Sequence, residues 1–307
     1  MLIFIEDIHK SKLTLLEGFV IYLRTEKRYS EHTIKAYAGD LSQFFKYIDE
    51  AYNIKIPSEV KSQMIRSWVI ELMDHNTSSR SVNRKLSTLK SYYKYLRREG
   101  LLKENPMLKV SVPKVKSRLP SYMEQEDMKA LFSDKMFDIN FVGVRNRLIL
   151  MLLYYTGMRR GELIGLQLSS FDPFNRTLKV LGKGNKERII PINKELISLI
   201  EEYLNIMKKE KIALKSDTLI VTDNGNQLYP NFVYRVVKDH LSKVSTAQKR
   251  SPHVLRHTFA THMLNNGADL NAIKEILGHA NLSATQIYTH NSVEQLKQIY
   301  KQAHPKA

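Results

Sequence analysis

Along the first third of the chain, apolar residues recur at the three- and four-residue spacing of amphipathic helices. Leu13 to Arg24 is one such segment. A second opens at Ser30, where S-E-H-T puts a serine at the N-cap, and Ile34, Tyr37, Leu41, Phe44 and Ile48 follow on one face. A third runs from Ser58 to Met73. The fourth, Ser79 to Glu99, carries Val82, Leu86, Leu89, Tyr93 and Leu96 on one stripe and ends at Gly100.

Beyond residue 124 the pattern is mixed. Its periodicity predicts helices at Glu124–Phe132, Asn146–Tyr155, Gly161–Leu168, Lys194–Lys209, Pro230–Ser242, Thr258–Asn265 and Asn271–Leu277. Thr177–Leu181 and Arg188–Ile192 are β-branched and apolar, and the G-K-G-N-K-E between them makes a hairpin. Leu219–Thr222 reads as a further short strand, closed by Asp223-Asn224-Gly225. The expected fold class is therefore mainly α with a small β-sheet (α+β). Residues 1–110 form a helical domain, 111–123 a linker marked by Pro113 and Pro120, and 124–307 a second domain.

Composition narrows the function classes. No cysteine is present, which excludes disulfides, thiolate metal sites and a cysteine nucleophile. Met1 to Ile5 is too short an apolar run for a signal peptide, and the longest apolar stretch, Leu148 to Tyr155, falls well short of the ~20 residues that span a bilayer. A cytoplasmic protein with no membrane contact is the expectation. The net charge of +17 points to a polyanionic partner, nucleic acid foremost. It divides almost evenly, +9 over residues 1–119 and +8 over the rest, so both domains can face the same polyanion. Between Arg80 and Arg118 twelve Lys/Arg stand against two acids, whereas a plain solvated helix face alternates in sign. Arg80, Arg84, Lys90, Lys94 and Arg98, interleaved with Ser81, Ser87 and Ser91, are candidate contacts to a DNA backbone.

Four segments of the second domain could carry chemistry. In T-G-M-R-R-G-E-L, Gly157 breaks a buried helix and Arg159 stands at the start of the next, where a cation opposes the helix dipole unless an anion sits alongside. Glu162 reads as a partner for an Arg or a backbone N–H. The turn Gly182-Lys183-Gly184-Asn185-Lys186 lacks the order and the following helix of an ATP-binding loop, and fits either a functional lysine or a solvated hairpin tip. His253 to His262 spaces three histidines at i, i+4 and i+9 without the glutamate of a zinc helix, so no metal is expected. His253 and Arg256, three apart after Pro252, instead suit a phosphate. The fourth segment, Leu277 to His290, places His279 after Gly278 and Tyr288 nine residues on. One tyrosine among sixteen is ordinarily packing, and only its company raises it.

Together these segments resemble the tyrosine recombinase (phage-integrase-like) family. The family's T-G-[ML]-R-x-x-E-L motif is matched at Arg159 and Glu162, its hairpin G-K-G-x-K at Lys183, its H-x-L-R-H at His253 and Arg256, and its L-G-H…Y pattern at His279 and Tyr288. Residues 13–109, with R-Y-S-E-H-T-I-K-A-Y from Arg28, are similar to its four-helix, SAM-like core-binding domain, and the ending A-H-P-K-A resembles the Xer branch. The resemblance implies a C-terminal catalytic domain that cuts and rejoins double-stranded DNA through a 3′-phosphotyrosine on Tyr288 and a Holliday junction, with no ATP, metal or cofactor. Arg159 and Arg256 would hold the phosphate, Lys183 would protonate the leaving oxygen, and His253 and His279 would assist. It further implies a tetramer on two duplexes, built from this chain or with a paralogous recombinase, resolving chromosome dimers at cell division, with an FtsK-type translocase as a further partner. The rival readings are a mobile-element integrase, a type IB topoisomerase and a non-catalytic DNA-binding protein. The segment Val293–Gln302 is expected to dock either on a neighbouring protomer or on its own domain.

Overall fold

The four-helix pattern of the first domain forms as follows in the computed structural model, which describes residues 12–114, 122–182, 186–245, 250–278 and 299–303. α1 (Lys12–Thr25), α2 (Glu31–Tyr52), α3 (Ser62–Asp74) and α4 (Ser79–Arg98) close around Phe19, Leu41, Phe44, Trp68, Leu89 and Tyr92. Ser30 caps α2 by accepting from the Thr33 N–H. Gly100 follows α4 at φ +73°, a left-handed position where glycine carries no steric cost. The third helix starts four residues later than its apolar pattern predicts. Pro57–Glu59 form a 3₁₀ turn and Val60 is extended and buried, so the chain bends before it can wind. A buried carboxylate joins α2 to α4: Asp40 accepts from both Arg84 terminal nitrogens, from Lys85 Nζ at 3.1 Å and from Thr88 Oγ1 at 2.9 Å.

The chain separates into two compact units, Met1–Arg118 and Leu119–Ala307. In the second, α6 (Phe141–Thr156) runs through the core after α5 (Gln125–Leu131). The whole of Leu148–Tyr155 is buried, against α8 (Lys194–Lys209) and α10 (Pro252–Asn265) among others. That explains an apolar run too short for a bilayer: it is a core helix. α6 begins five residues before its expected start, because the Asn140 side chain accepts from the Gly143 N–H at 2.8 Å and caps an extra turn. The short α7 (Arg160–Ile164) stops at Gly165 instead of reaching Leu168, and a 3₁₀ turn follows.

The sheet has three antiparallel strands, β1 (Phe171–Asp172), β2 (Thr177–Leu181) and β3 (Glu187–Pro191). The hairpin register pairs Thr177 with Pro191 and Leu181 with Glu187, so Leu178, Val180, Arg188 and Ile190 share the inner face. Leu219–Thr222 makes no strand. It contributes one isolated bridge, Val221 to Gln227, and its N–H at Val221 is taken by the Tyr203 hydroxyl. α9 (Pro230–Val244) and α11 (Leu270–Leu277) complete the unit, and α10 starts at Pro252 rather than Thr258. Among the described residues no helix is long and apolar enough to cross a membrane. Residues 299–303 are helical; Tyr300 is buried, its hydroxyl donates to the Tyr155 carbonyl at 2.9 Å, and the Ala303 carbonyl accepts from Asn266. This part of the C-terminal segment packs on its own unit. Lys183, His279, Tyr288 and residues 293–298 lie outside the described residues.

Candidate functional site

Gly157 sets the centre of the site. It ends α6 at φ +60°, and a Cβ there would stand 2.5 Å from Phe259 Cδ1 and 2.7 Å from Leu277 Cδ2. The turn thus admits α10 and α11 at a distance that only glycine permits. Arg256, three residues along α10 from His253, donates to the Gly157 carbonyl at 2.7 Å and to the Leu277 carbonyl at 2.8 Å. Arg159 donates to the Gly278 carbonyl at 3.2 Å. Both guanidinium groups therefore gather at the carbonyl end of α11, where the helix dipole favours cations.

Arg159 is not inside the first turn of α7. It is the N-cap residue, and Glu162 at the third helical position accepts its backbone N–H at 2.8 Å and its Nη1 at 2.7 Å. The opposition between an arginine and the helix dipole is so relieved by a carboxylate. Glu162 also receives both Nη atoms of Arg188, at 3.0 and 2.8 Å, and this pair is 5% exposed on either side. Burial pushes the Glu162 carboxyl upward, but the hydrogen bonds from Arg188 and from the Arg159 N–H outweigh it and hold the group below the usual carboxylate value.

Arg256 has the opposite balance. Burial first, and then the positive Arg159 and Arg188, lower its pKa to about 10, against the pull of Glu162. It remains charged at neutral pH. Its contacts among the described residues are to carbonyls, and a guanidinium has five N–H donors, of which those contacts use two. An anion placed against Arg159 and Arg256 would relieve both the desolvation and the mutual repulsion, and the fork geometry suits two phosphate oxygens.

His253 is exposed at the start of α10. His262 is buried and engaged with the Tyr154 hydroxyl at 2.8 Å, so the third histidine of the His253–His262 run is a core residue. Lys183 follows Gly182, whose N–H donates to the Lys186 carbonyl at 2.7 Å at the neck of the hairpin. His279 follows Gly278, the left-handed cap of α11. Arg188 was not among the residues expected here. The signal for it is the strand alternation: Arg188 has the same parity as Ile190 and Ile192, an inward face on which a cation is out of place unless paired.

On α4, Arg80, Ser87, Lys90, Lys94 and Arg98 are exposed. Arg84 is held by Asp40, and Arg98 by Glu26 at 2.7 and 2.9 Å with its guanidinium 4.4 Å from the Tyr22 ring centroid. Among the described residues no ion pair reaches Arg80, Lys90 or Lys94.

Residues 121–295 match the phage integrase family, and residues 16–100 match the phage integrase N-terminal SAM-like domain. The chain is 38% identical over 296 residues to the tyrosine recombinase XerC of Anoxybacillus flavithermus, covering 95% of this chain and 98% of the relative. It is 40% identical over 295 residues to the XerC of Listeria innocua, with the same two coverages. Among solved structures, the XerH site-specific recombinase bound to its difH substrate in a pre-cleavage complex superposes with a TM-score of 0.68 at 26% identity, covering 93% of this chain and 84% of that one.

Proposed function

The chain belongs to the phage integrase family and is a tyrosine recombinase, a DNA breaking and rejoining enzyme; from that premise we propose that it resolves chromosome dimers by exchanging strands between two copies of one DNA site. Four protomers, of this chain alone or with a paralogous recombinase, would bind two duplexes near the nucleoid, with an FtsK-type translocase as a further partner. The full-length similarity to XerC proteins supports this role over a mobile-element integrase.

In the proposed reaction the Tyr288 oxygen attacks the scissile phosphorus in line. A bond from that oxygen to phosphorus forms as the bond to the 5′-oxygen breaks, leaving a 3′-phosphotyrosine and a 5′-hydroxyl. His253 assists removal of the tyrosine proton, and Lys183 delivers one to the departing 5′-oxygen. Arg159 and Arg256 neutralise the non-bridging oxygens, and His279 adds a hydrogen bond to them. The phosphodiester energy is stored in the tyrosyl linkage, so a partner strand's 5′-hydroxyl reverses the step without ATP. Arg80, Lys90 and Lys94 hold the duplex through phosphates, with Arg84 and Arg98 contributing where DNA competes with their carboxylates.

The observation that carries this reading is the convergence of Arg159 and Arg256 on the end of α11, one of them at a marked desolvation cost. Excision tests it. A supercoiled plasmid bearing two direct repeats of the genomic segment on which the protein becomes covalently trapped should yield two circles. Relaxation without excision would assign the chain a topoisomerase-like role instead.

A further inference from the structure

Arg188 belongs to none of the motifs that led to the site, yet it touches three of the four segments that carry them, α10 being the exception. Its Nη atoms close a fork on Glu162, the residue that fixes Arg159. Its Nε donates to the Ile276 carbonyl at 2.7 Å, in the last turn of α11. Its guanidinium lies under two glycines: a Cβ on Gly278 would stand 3.3 Å from Nη1, and one on Gly182 would stand 3.5 Å from the same atom. Those glycines immediately precede His279 and Lys183. Arg188 itself sits on β3, opposite Val180, one strand of the hairpin whose turn carries Lys183.

We infer that Arg188 is a positioning residue for strand cleavage, bolting the β2–β3 hairpin to Glu162 and to the end of α11 so that the hairpin lysine and Arg159 are held in one frame. This rests on the roles proposed above for Lys183 and Arg159. A merely space-filling cation would not need three separate acceptors, and Lys could not supply them, because an ammonium lacks the planar fork that reaches Glu162 with two nitrogens and Ile276 with a third. The same contact set accords with glycine at 278, where the left-handed backbone disfavours a Cβ and the arginine side chain, 3.2 Å away at its Cδ, would have to give way to one.

The test uses the full chain and two nicked suicide substrates of the trapped site, one ordinary and one with sulfur in place of the bridging 5′-oxygen. A thiolate leaves without a proton, so the sulfur substrate does not need a general acid. For Arg188→Gln we expect DNA affinity within about threefold of wild type and cleavage of the ordinary substrate reduced by about a hundredfold, the low end of what one acid contributes. The deficit on the sulfur substrate should be at least about tenfold smaller. Arg188→Lys keeps a cation beside Glu162 and supplies the folded comparison if the Gln variant does not fold; it should show the same sulfur rescue. Cleavage at the wild-type rate, or an equal loss on both substrates, overturns the inference. A wild-type chain that cleaves neither substrate overturns the proposed chemistry instead.

Discussion

At the scale of single residues, the site is governed by a surplus of cations over carboxylates. Arg159, Arg188 and Arg256 share one buried acid, Glu162, and the two arginines it binds directly are neutralised at the cost of the third. Glu162 is consequently the group through which acid reaches the site. Its pKa is lowered on folding, so its stabilising effect is complete above the unfolded value of about 4.3 and is lost as pH falls through the lower folded value. Glu162→Gln should cost roughly 3–5 kcal/mol of unfolding free energy at pH 7, because it leaves Arg188 buried without its counter-charge. The difference from wild type should narrow below about pH 4, as the wild-type carboxyl protonates. Urea unfolding at pH 7 and pH 3.5 reads both; a gap that does not change with pH would remove the carboxylate from the account.

At the scale of elements, the decisive seam is where α6, α10 and α11 meet around Gly157. Gly157→Ala combines a left-handed backbone with contacts of 2.5 Å to Phe259 and 2.7 Å to Leu277. The cost should be about 2–3 kcal/mol, seen as a lower thermal midpoint, and Phe259→Leu in the same chain should recover part of it by opening the contact. Full stability of Gly157→Ala would show that the seam is loosely packed. The elements differ in how legible they were. α2 and α4 have one apolar stripe each and a serine cap; the start of α2 and both ends of α4 could be read within a residue, whereas α2 runs to Tyr52, four residues past its last marked apolar position. The hairpin was plain from its β-branched, apolar runs and the glycine-rich turn between them. α10 was only half legible: its apolar pattern marked Thr258–Asn265, while its start showed only in Pro252 and the three-residue spacing of His253 and Arg256, because polar and apolar residues go round much of the helix. Leu219–Thr222 has strand composition but no neighbouring strand to complete a ladder, and composition alone cannot reveal that.

At the scale of the whole molecule, the +17 charge sorts into three uses. Some cations are internal, as Arg188 with Glu162 and Arg145 with Asp223. Some reach inward or across the surface to an acid, Arg84 to the buried Asp40 and Arg98 to the exposed Glu26. Others, Arg80, Lys90 and Lys94 among them, stand exposed on α4. Sequence motifs identified the residues proposed to meet the scissile phosphate, since each lies in a short ordered string, but they could not separate these three uses, which depend on which acid folding brings alongside. In the proposed reaction one tyrosine, Tyr288, takes the DNA strand. The most direct measurement incubates the protein with fragmented genomic DNA of its own source, denatures it, digests the covalent complexes, and identifies the attached peptide and DNA end by mass spectrometry and sequencing. The expected adduct is the Tyr288 peptide on a 3′-phosphate, enriched at one chromosomal site and absent from Tyr288→Phe. A different residue in the linkage, attachment through a 5′-phosphate, or an adduct formed by Tyr288→Phe would contradict it.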